Sequence, residues 1–497
     1  MKQILTVLFL LVSGLAFSGE IVVREGESLH EALRQAREWR RTNDPRCEGG
    51  ITIRIKAGRY YMNEPLFIRP EDSGTDDSPL IIMGETGAVI CGDPCQEHTQ
   101  IWPKEGMERM ISFNPKTRTI TIPQYDKLWM PPPHQEMVVH QRWAIAILRV
   151  ENMRANDDSI VVSFKEPESR LEFEHPWPQP VIGGEKGNSS FQLRTTVQRD
   201  GIEQLVIVDG ANHVTFEGLT FENTCWNRPL HKGHVTLQGG LPLVDAYKLK
   251  EKEGLPWDNG LENQAWIERP VSAVTVKNAE QVRFTNCLFQ HLGATALDYE
   301  SINGGTIDHC NFVDIGGTAI MAGSFAESPR EVHRPYSDLA EHCQNLIIQG
   351  NGIYNVANED WGAVAISCGY VRDCTISENT VSHVNYSGIC VGWGWTSKYT
   401  GMENNHIINN RISDYARQLY DAGGIYTLSN QPYSSIKGNE ISQPYPAPYA
   451  TNDRGFCIYL DAHTDGFTIE NNRTEGRLIR RDEIGDNHPG PNIIFKE

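Results

Sequence analysis

Two short stretches near the carboxyl end set acids beside glycine and an apolar strand. "DAGGIYTLSNQPYSSIKGNEI" opens on Asp421, and "DRGFCIYLDAH" carries Asp461 just after its strand. Upstream, "DWGAVAI" begins at Asp360 and "NYSGICV" at Asn385. Setting Val364, Ile389 and Ile425 in register puts Asp360, Asn385 and Asp421 in one lengthwise row, with Arg454 following it. Carboxylates repeated along stacked strands lie roughly 5–10 Å apart. That is the range in which one carboxyl can protonate a glycosidic oxygen while the other acts as nucleophile or as base for water. The competing reading is structural, since Asp before Gly is a common turn residue that caps main-chain N–H groups.

The company these acids keep bears on the choice. Trp361, Trp393, Trp395, Tyr386, Tyr426, Tyr459 and His383 crowd the same blocks. Aromatic faces stack on the C–H faces of sugars, and they exclude water from a general acid whose pKa must be raised. Packing beneath loops would use the same residues. Arg454 is the one basic side chain in the row. His140 and Trp143, in "VVHQRWAIAIL", reach the site from an inserted segment or are buried within it, and His291 and Asp298 lie upstream on what the spacing makes the same face. The sequence holds no serine elbow, Walker loop, dinucleotide fingerprint or HExxH. It also lacks the acidic runs that suit calcium, so neither metal nor cofactor is expected.

These blocks belong to a repeat. Cys287, Cys310, Asn351, Asn379, Asn410 and Asn439 occupy one recurring position, at steps of 23, 41, 28, 31 and 29 residues. Alternation of period two within each block indicates coils of short strands. Stacked at about 4.8 Å, such coils bury together what one cannot bury alone. Ile353, Val381, Ile412 and Ile441 should form an inner aliphatic column, and the asparagines a ladder at a corner. The fold class predicted is all-β, a parallel β-helix.

Residues 27–41, "ESLHEALRQAREWRR", predict a helix with Ser28 and Glu31 as a capping box and an apolar face suited to covering the open end of the stack. "ITIRIKAG", "PLFIRPED", "PLIIMGE" and "AVICG" then read as the first coils. Between 93 and 200 the rhythm gives way to a tryptophan- and proline-rich β segment, and 225–266 is a second irregular excursion. The expected organisation is 1–18 as an export signal, 19–92 as cap helix and first coils, 93–200 as an inserted β-rich subdomain, and 201–497 as the main β-helix.

"MKQILTVLFLLVSGLAFSGE" has the Lys, apolar run and small residues of an export signal. Its apolar run is short for a membrane span. The protein is therefore expected to be exported, to a periplasm or beyond the cell. A net charge of −19 argues against nucleic acid and anionic membrane as partners. Among eleven cysteines, Cys91 and Cys95 in "CGDPC" are the expected local bridge.

"EWRRTNDPRCEGGITIRIKAGRYYMNEPLFIRPEDSGTDDSPLII", "HQRWAIAILRV", "GLENQAW", "HLGATALDY", "SGICVGWGW", "DAGGIYTL" and "YLDAH" together resemble the exported family-141 glycoside hydrolases, from about residue 20 to the end. The resemblance implies a right-handed, pectate-lyase-like β-helix. It also implies a hydrolase of plant cell-wall polysaccharide, whether α-L-fucosidase-like on pectic side chains or xylanase-like, with Asp421 and Asp461 as the catalytic pair. Two alternatives stay open at this stage. One is a polysaccharide lyase on the same scaffold, with Arg454 neutralising a uronate. The other is a non-catalytic carbohydrate-binding protein.

Overall fold

The computed structural model describes residues 19–93, 96–102, 112–123, 135–174, 191–198, 201–251, 261–326, 341–445, 447, 455–475 and 489–496. The signal-like residues 1–18, Cys95 and Arg454 lie outside that set.

The core is a stack of parallel coils. One ten-stranded parallel sheet runs from Gly58–Tyr61 to Arg473–Thr474. In it Tyr60, Ile90, Phe221, Phe289, Phe312, Ile353, Val381, Ile412 and Ile441 pair in succession, one per coil. All nine are buried. The column is aromatic upstream, where Phe289 stacks on Phe312 with centroids 4.7 Å apart and planes 6° apart, and aliphatic downstream. Like side chains on successive coils fill the same volume, so the repeat read from the sequence becomes a continuous core.

The corner ladder forms and is one step longer than expected. The Asn379 side-chain amide donates to Ile348 O at 3.0 Å and to Asn410 Oδ1 at 2.9 Å, while the main-chain N–H of Asn379 reaches the same Oδ1 at 3.0 Å. Asn351, Asn410 and Asn439 repeat the pattern, and Asn472 extends it. Each asparagine thereby satisfies main-chain groups that the bend takes out of the sheets.

The amino-terminal end differs in three details. The strand Gly19–Val23 precedes the helix and pairs in parallel with Ile51–Ile55, so the first coil begins before the cap and not after it. The helix spans Leu29–Arg41 and buries Leu29, Ala32, Leu33, Ala36 and Trp39. Ser28 accepts from the Glu31 N–H at 3.3 Å, but the Glu31 carboxylate turns to Arg34, at 2.8 and 2.5 Å, leaving half of the capping box. Arg37 holds the helix to the stack through buried Asp72, at 2.7 and 2.8 Å. Cys91 is a buried free thiol at the end of its strand, with Sγ 3.8 Å from Tyr60 O, whereas Cys225 is disulfide-bonded. The Cys91–Cys95 bridge suggested by proximity is not formed.

The inserted segment folds as an antiparallel sheet in the order Gln96–Trp102, Phe191–Gln198, Gln135–His140, Ile145–Asn156, Ser159–Phe164, Thr119–Pro123, Ser112–Asn114. The excursion contributes His234–Val235, which pairs with Ala146 and Ile147 of that sheet. On the β-helix, Asp298, Met321, Ser367, Cys390, Tyr426 and Tyr459 form an outward column. An outward face would ordinarily be polar. Here Met321, Tyr370, Trp393, Tyr426 and Tyr459 join one apolar cluster with Met137, Val139, Ala146, Leu148, Phe191 and Leu193 of the insertion. The insertion therefore sits on the stack.

Asn410→Leu removes an acceptor and two donations from a buried corner, and should lower stability by about 2–4 kcal/mol. The exposed neighbour Arg411, whose partner Glu440 is a surface contact at 3.3 Å, should change stability by about 0.5 kcal/mol or less when made Ala. Denaturant midpoints of the two variants check this, and equal midpoints would deny the ladder its structural role.

Candidate functional site

Asp421 and Asp461 flank two neighbouring strands. Asp421 precedes Ala422–Thr427 in a left-handed conformation, φ +64°, which Asp tolerates better than most residues. Asp461 follows Gly455–Leu460, its N–H on Thr427 O at 3.0 Å. The strands pair in parallel with Tyr426 beside Tyr459. The glycines of this block are needed for close approach: a side chain at Gly388 would come within 2.5 Å of Gly424 O on the next coil.

The two phenols cross between coils. Tyr459, from the coil of Asp461, donates to Asp421 Oδ1 at 3.0 Å, and Tyr426, from the coil of Asp421, donates to Asp461 Oδ2. The rings stand at 86° with centroids 5.1 Å apart. A third phenol, Tyr386 on the preceding coil, donates to the main-chain oxygen of Asp421 at 3.1 Å. Burial, followed by the negative charge of Asp461 or Asp421, pushes all three phenols well above their ordinary range, so they stay protonated and act as donors. Tyr386 and Tyr459 each feel both carboxylates, which places the two acids at one cluster. Each acid is 9 % exposed, so the cluster is enclosed yet reachable from solvent.

Two segments distant in sequence close over the cluster. Gln238, from the excursion, donates through Nε2 to Tyr386 and Tyr426, each at 3.2 Å. The turn Gln141–Ala144 of the insertion offers Arg142 O to the N–H of Tyr420, the residue before Asp421, at 3.2 Å. Trp143 Nε1 donates to Leu237 O at 3.2 Å, joining turn to excursion. His140 is fully buried, and burial lowers it to about 3, so it is neutral and packs edge-on against Trp361 at 4.4 Å. Trp361 donates to Asn358 O at 3.1 Å. Trp393 is buried between Phe325 and Trp395, at 5.3 and 4.7 Å between centroids.

Asp360 does not share the row assigned to it. Ile366, not Val364, pairs with Ile389, and Ile389 with Ile425, so Asp360 lies two residues out of register with Asn385 and Asp421. The carboxylate of Asp360 is held by His234 Nε2 at 3.0 Å and by the N–H of Gly362 at 3.2 Å. It lines a small pocket with Trp226, His234, Thr295 and Thr318. Burial lowers the pKa of His234, and burial also holds Arg228 down to about 10. His383 occupies a corner of the ten-stranded sheet, φ +58°, with Nδ1 2.8 Å from Asp414 Oδ2 and its ring tilted against Tyr354, centroids 4.4 Å apart. His291 pairs with Asp314 at 2.7 Å, and Asp298 with Arg269 at 2.5 Å, both outside the phenol cluster.

Gln238 and the Arg142 carbonyl are the site groups that the sequence did not single out. Glutamine in an irregular excursion carries no periodic signal, and a main-chain carbonyl carries none at all. No group of three or more His, Cys, Asp or Glu side chains suited to a metal occurs among the described residues.

Comparison with known proteins agrees with this architecture. A family model described as "GH141 insertion domain" matches residues 96–201, and one described as "Right handed beta helix region" matches 339–478. A solved structure titled "Glycoside hydrolase" is 32% identical, superposes with a TM-score of 0.84, and is covered over 96% of both chains. A GH136 lacto-N-biosidase from Eubacterium ramulus (11% identity, TM-score 0.35, 90% of this chain and 62% of that one) is far more distant. So is an alginate lyase from Paenibacillus (10%, 0.34, 88% and 99%). No curated protein sequence matches. With that identity over nearly its whole length, the chain belongs to the glycoside hydrolases of the GH141 type, built on a right-handed parallel β-helix.

Proposed function

We propose that this glycoside hydrolase is exported and cleaves glycosidic bonds in plant cell-wall polysaccharide, in pectic side chains or hemicellulose, using Asp421 and Asp461 as its acid pair. The observation that carries the reading is the crossed arrangement, in which each acid accepts a hydrogen bond from a phenol on the other's coil. A turn cap would be spent on neighbouring main-chain amides. These carboxylates are instead turned to side chains in an aromatic enclosure, where low polarity strengthens charge interactions with a bound substrate. The enclosure also suits a sugar ring, with the Tyr426 and Tyr459 rings beside the two acids. Membership in a hydrolase family favours hydrolysis over the lyase chemistry also weighed from the sequence. Export rests on the amino-terminal segment alone.

In hydrolysis one acid gives its proton to the glycosidic oxygen as the bond to the anomeric carbon breaks. The other either bonds that carbon or takes a proton from the attacking water. Three buried phenols keep the acids oriented without supplying competing bases.

A panel of hemicelluloses and pectic side chains, with products identified, tests the substrate class. Release of unsaturated, ultraviolet-absorbing products from uronate polymers would replace hydrolysis by elimination, and binding without turnover across the panel would leave a binding protein. On the substrate found, Asp421→Asn and Asp461→Asn should each lower kcat by about 10²–10⁴-fold with the thermal midpoint maintained. Near wild-type turnover in both variants would remove the pair from the chemistry.

Tyr426→Phe and Tyr459→Phe keep the rings and delete the donors. Each should lower kcat about tenfold with KM little changed, because the bond lost steadies an acid and does not hold the substrate. Steady-state kinetics check this, and a change confined to KM would assign the phenols to substrate binding.

A further inference from the structure

Resting on the acid pair just described, we propose that Asp360 is a positioning residue for that pair. It latches the excursion to the coil stack and thereby seats Gln238 against the phenols of Tyr386 and Tyr426. The excursion folds back on itself in a narrow hairpin. The N–H of Leu237 donates to Leu241 O at 2.9 Å, that of Leu241 to Gln238 O at 3.1 Å, and Thr236 bridges Pro242. Gly239 and Gly240 turn the tip in left-handed conformations, φ +61° and +76°. One carboxyl meets this hairpin at two points. Asp360 Oδ2 lies 3.0 Å from His234 Nε2 at the base. At the tip, Gly240 approaches so closely that a β-carbon there would stand 3.0 Å from the same oxygen. Gln238 comes between these two points in the chain.

The grip is polar and buried on both sides. Burial keeps the His234 ring neutral, and its one ring hydrogen serves a carboxylate that only accepts. The Gly362 N–H holds Oδ1 at 3.2 Å, so the carboxyl is fixed from its own coil while it faces the loop. Packing around the contact is incomplete, since the seam between excursion and coils leaves the small pocket lined by Trp226, His234, Thr295, Thr318 and Asp360. Thr236 Oγ1 on Ile145 O at 3.3 Å and Trp143 on Leu237 O tie the hairpin to the insertion. Asp360 ties it to a coil.

That coil is one step before Tyr386 and two before Tyr426, as the pairing of Ile366, Ile389 and Ile425 shows. Two steps are about 10 Å along the stack, a span that a hairpin tip covers. Seated there, Gln238 donates to both phenols. The phenols in turn donate to the main-chain oxygen of Asp421 and to the carboxyl of Asp461. Asp360 therefore acts on the orientation of the acids through Gln238, and takes no proton to or from the substrate.

Hydrogen–deuterium exchange of the full chain, read by mass spectrometry, tests the latch without a substrate. Asp360→Ala should speed exchange at Leu237 and Leu241 about tenfold, while Asn379 and Asn410 of the corner ladder keep their protection. His234→Leu removes the donor instead and should give the same acceleration. Asp360→Asn should stay near wild type. Its amide oxygen can accept from Gly362 and its amide hydrogen can go to His234 Nε2, once the ring carries its own hydrogen on Nδ1. On the substrate found, Asp360→Ala and Gln238→Leu should each lower kcat about tenfold with KM little changed. The double variant should fall no further than the worse single one, because both break the same chain of contacts. Asp360→Asn should keep kcat within about threefold of wild type. A loss in Asp360→Asn as deep as in Asp421→Asn would place Asp360 in the chemistry and overturn the proposal. So would losses that multiply in the double variant, or unchanged exchange at the tip in both Asp360→Ala and His234→Leu. If the wild type turns over no glycoside while the exchange results hold, the seating of Gln238 by Asp360 stands and the hydrolase reading falls.

Discussion

Coil-to-coil main-chain pairing is the constraint from which the rest of the molecule follows. Once one coil is in register with the next, every side-chain position becomes a column, and a column is stable only if its members tolerate one another at strand spacing. Inside, that selects stacked phenylalanines and then aliphatics. At the corner it selects asparagine, whose amide both donates to and accepts from its copies. Outside, the same rule places Tyr426 directly beside Tyr459, and it is this adjacency that lets each phenol reach across to the other coil's acid.

The site is built where the regular solenoid is interrupted. A bare stack would present a polar outer wall, but the insertion covers an apolar stretch of it and the excursion is stitched between the two by the pairing of Ala146 with Val235. Three segments meet there: the turn Gln141–Ala144, the loop through Gln238, and the coils of Asp421 and Asp461. The coils supply two carboxyls and three phenols at fixed spacing, and the irregular segments supply enclosure and a further hydrogen-bond donor. The division is physical, since a repeating backbone cannot by itself make a closed and asymmetric cavity.

Much of this was legible in the sequence because it is periodic. The asparagine column, Ile353–Val381–Ile412–Ile441 and the apolar face of the first helix all follow from spacing. The register of Asp360 failed for the same reason. "DWGAVAI" reaches its core strand two residues later than its neighbours do, so aligning first aliphatics shifts the row. Cys91 and Cys95 were paired on closeness in the chain, yet Cys91 ends an inward-facing strand and its thiol is buried against Tyr60. His383 looked like a site residue because it sits among aromatic neighbours in the chain. A left-handed corner sends it to Asp414 instead. Gln238 could not have been found at all, since its contact with Tyr426 joins positions 188 residues apart across two irregular segments.

The contact between Arg142 and Tyr420 has a consequence for biogenesis. It joins a turn made early in synthesis to the residue just before the first acid, and the second acid follows forty residues later. A ribosome-bound chain can complete its insertion and most of its coils while the pair is still unfinished. The phenol of Tyr426 therefore waits for Asp461, and the crossed arrangement closes only after every other segment that meets at the cluster has been made.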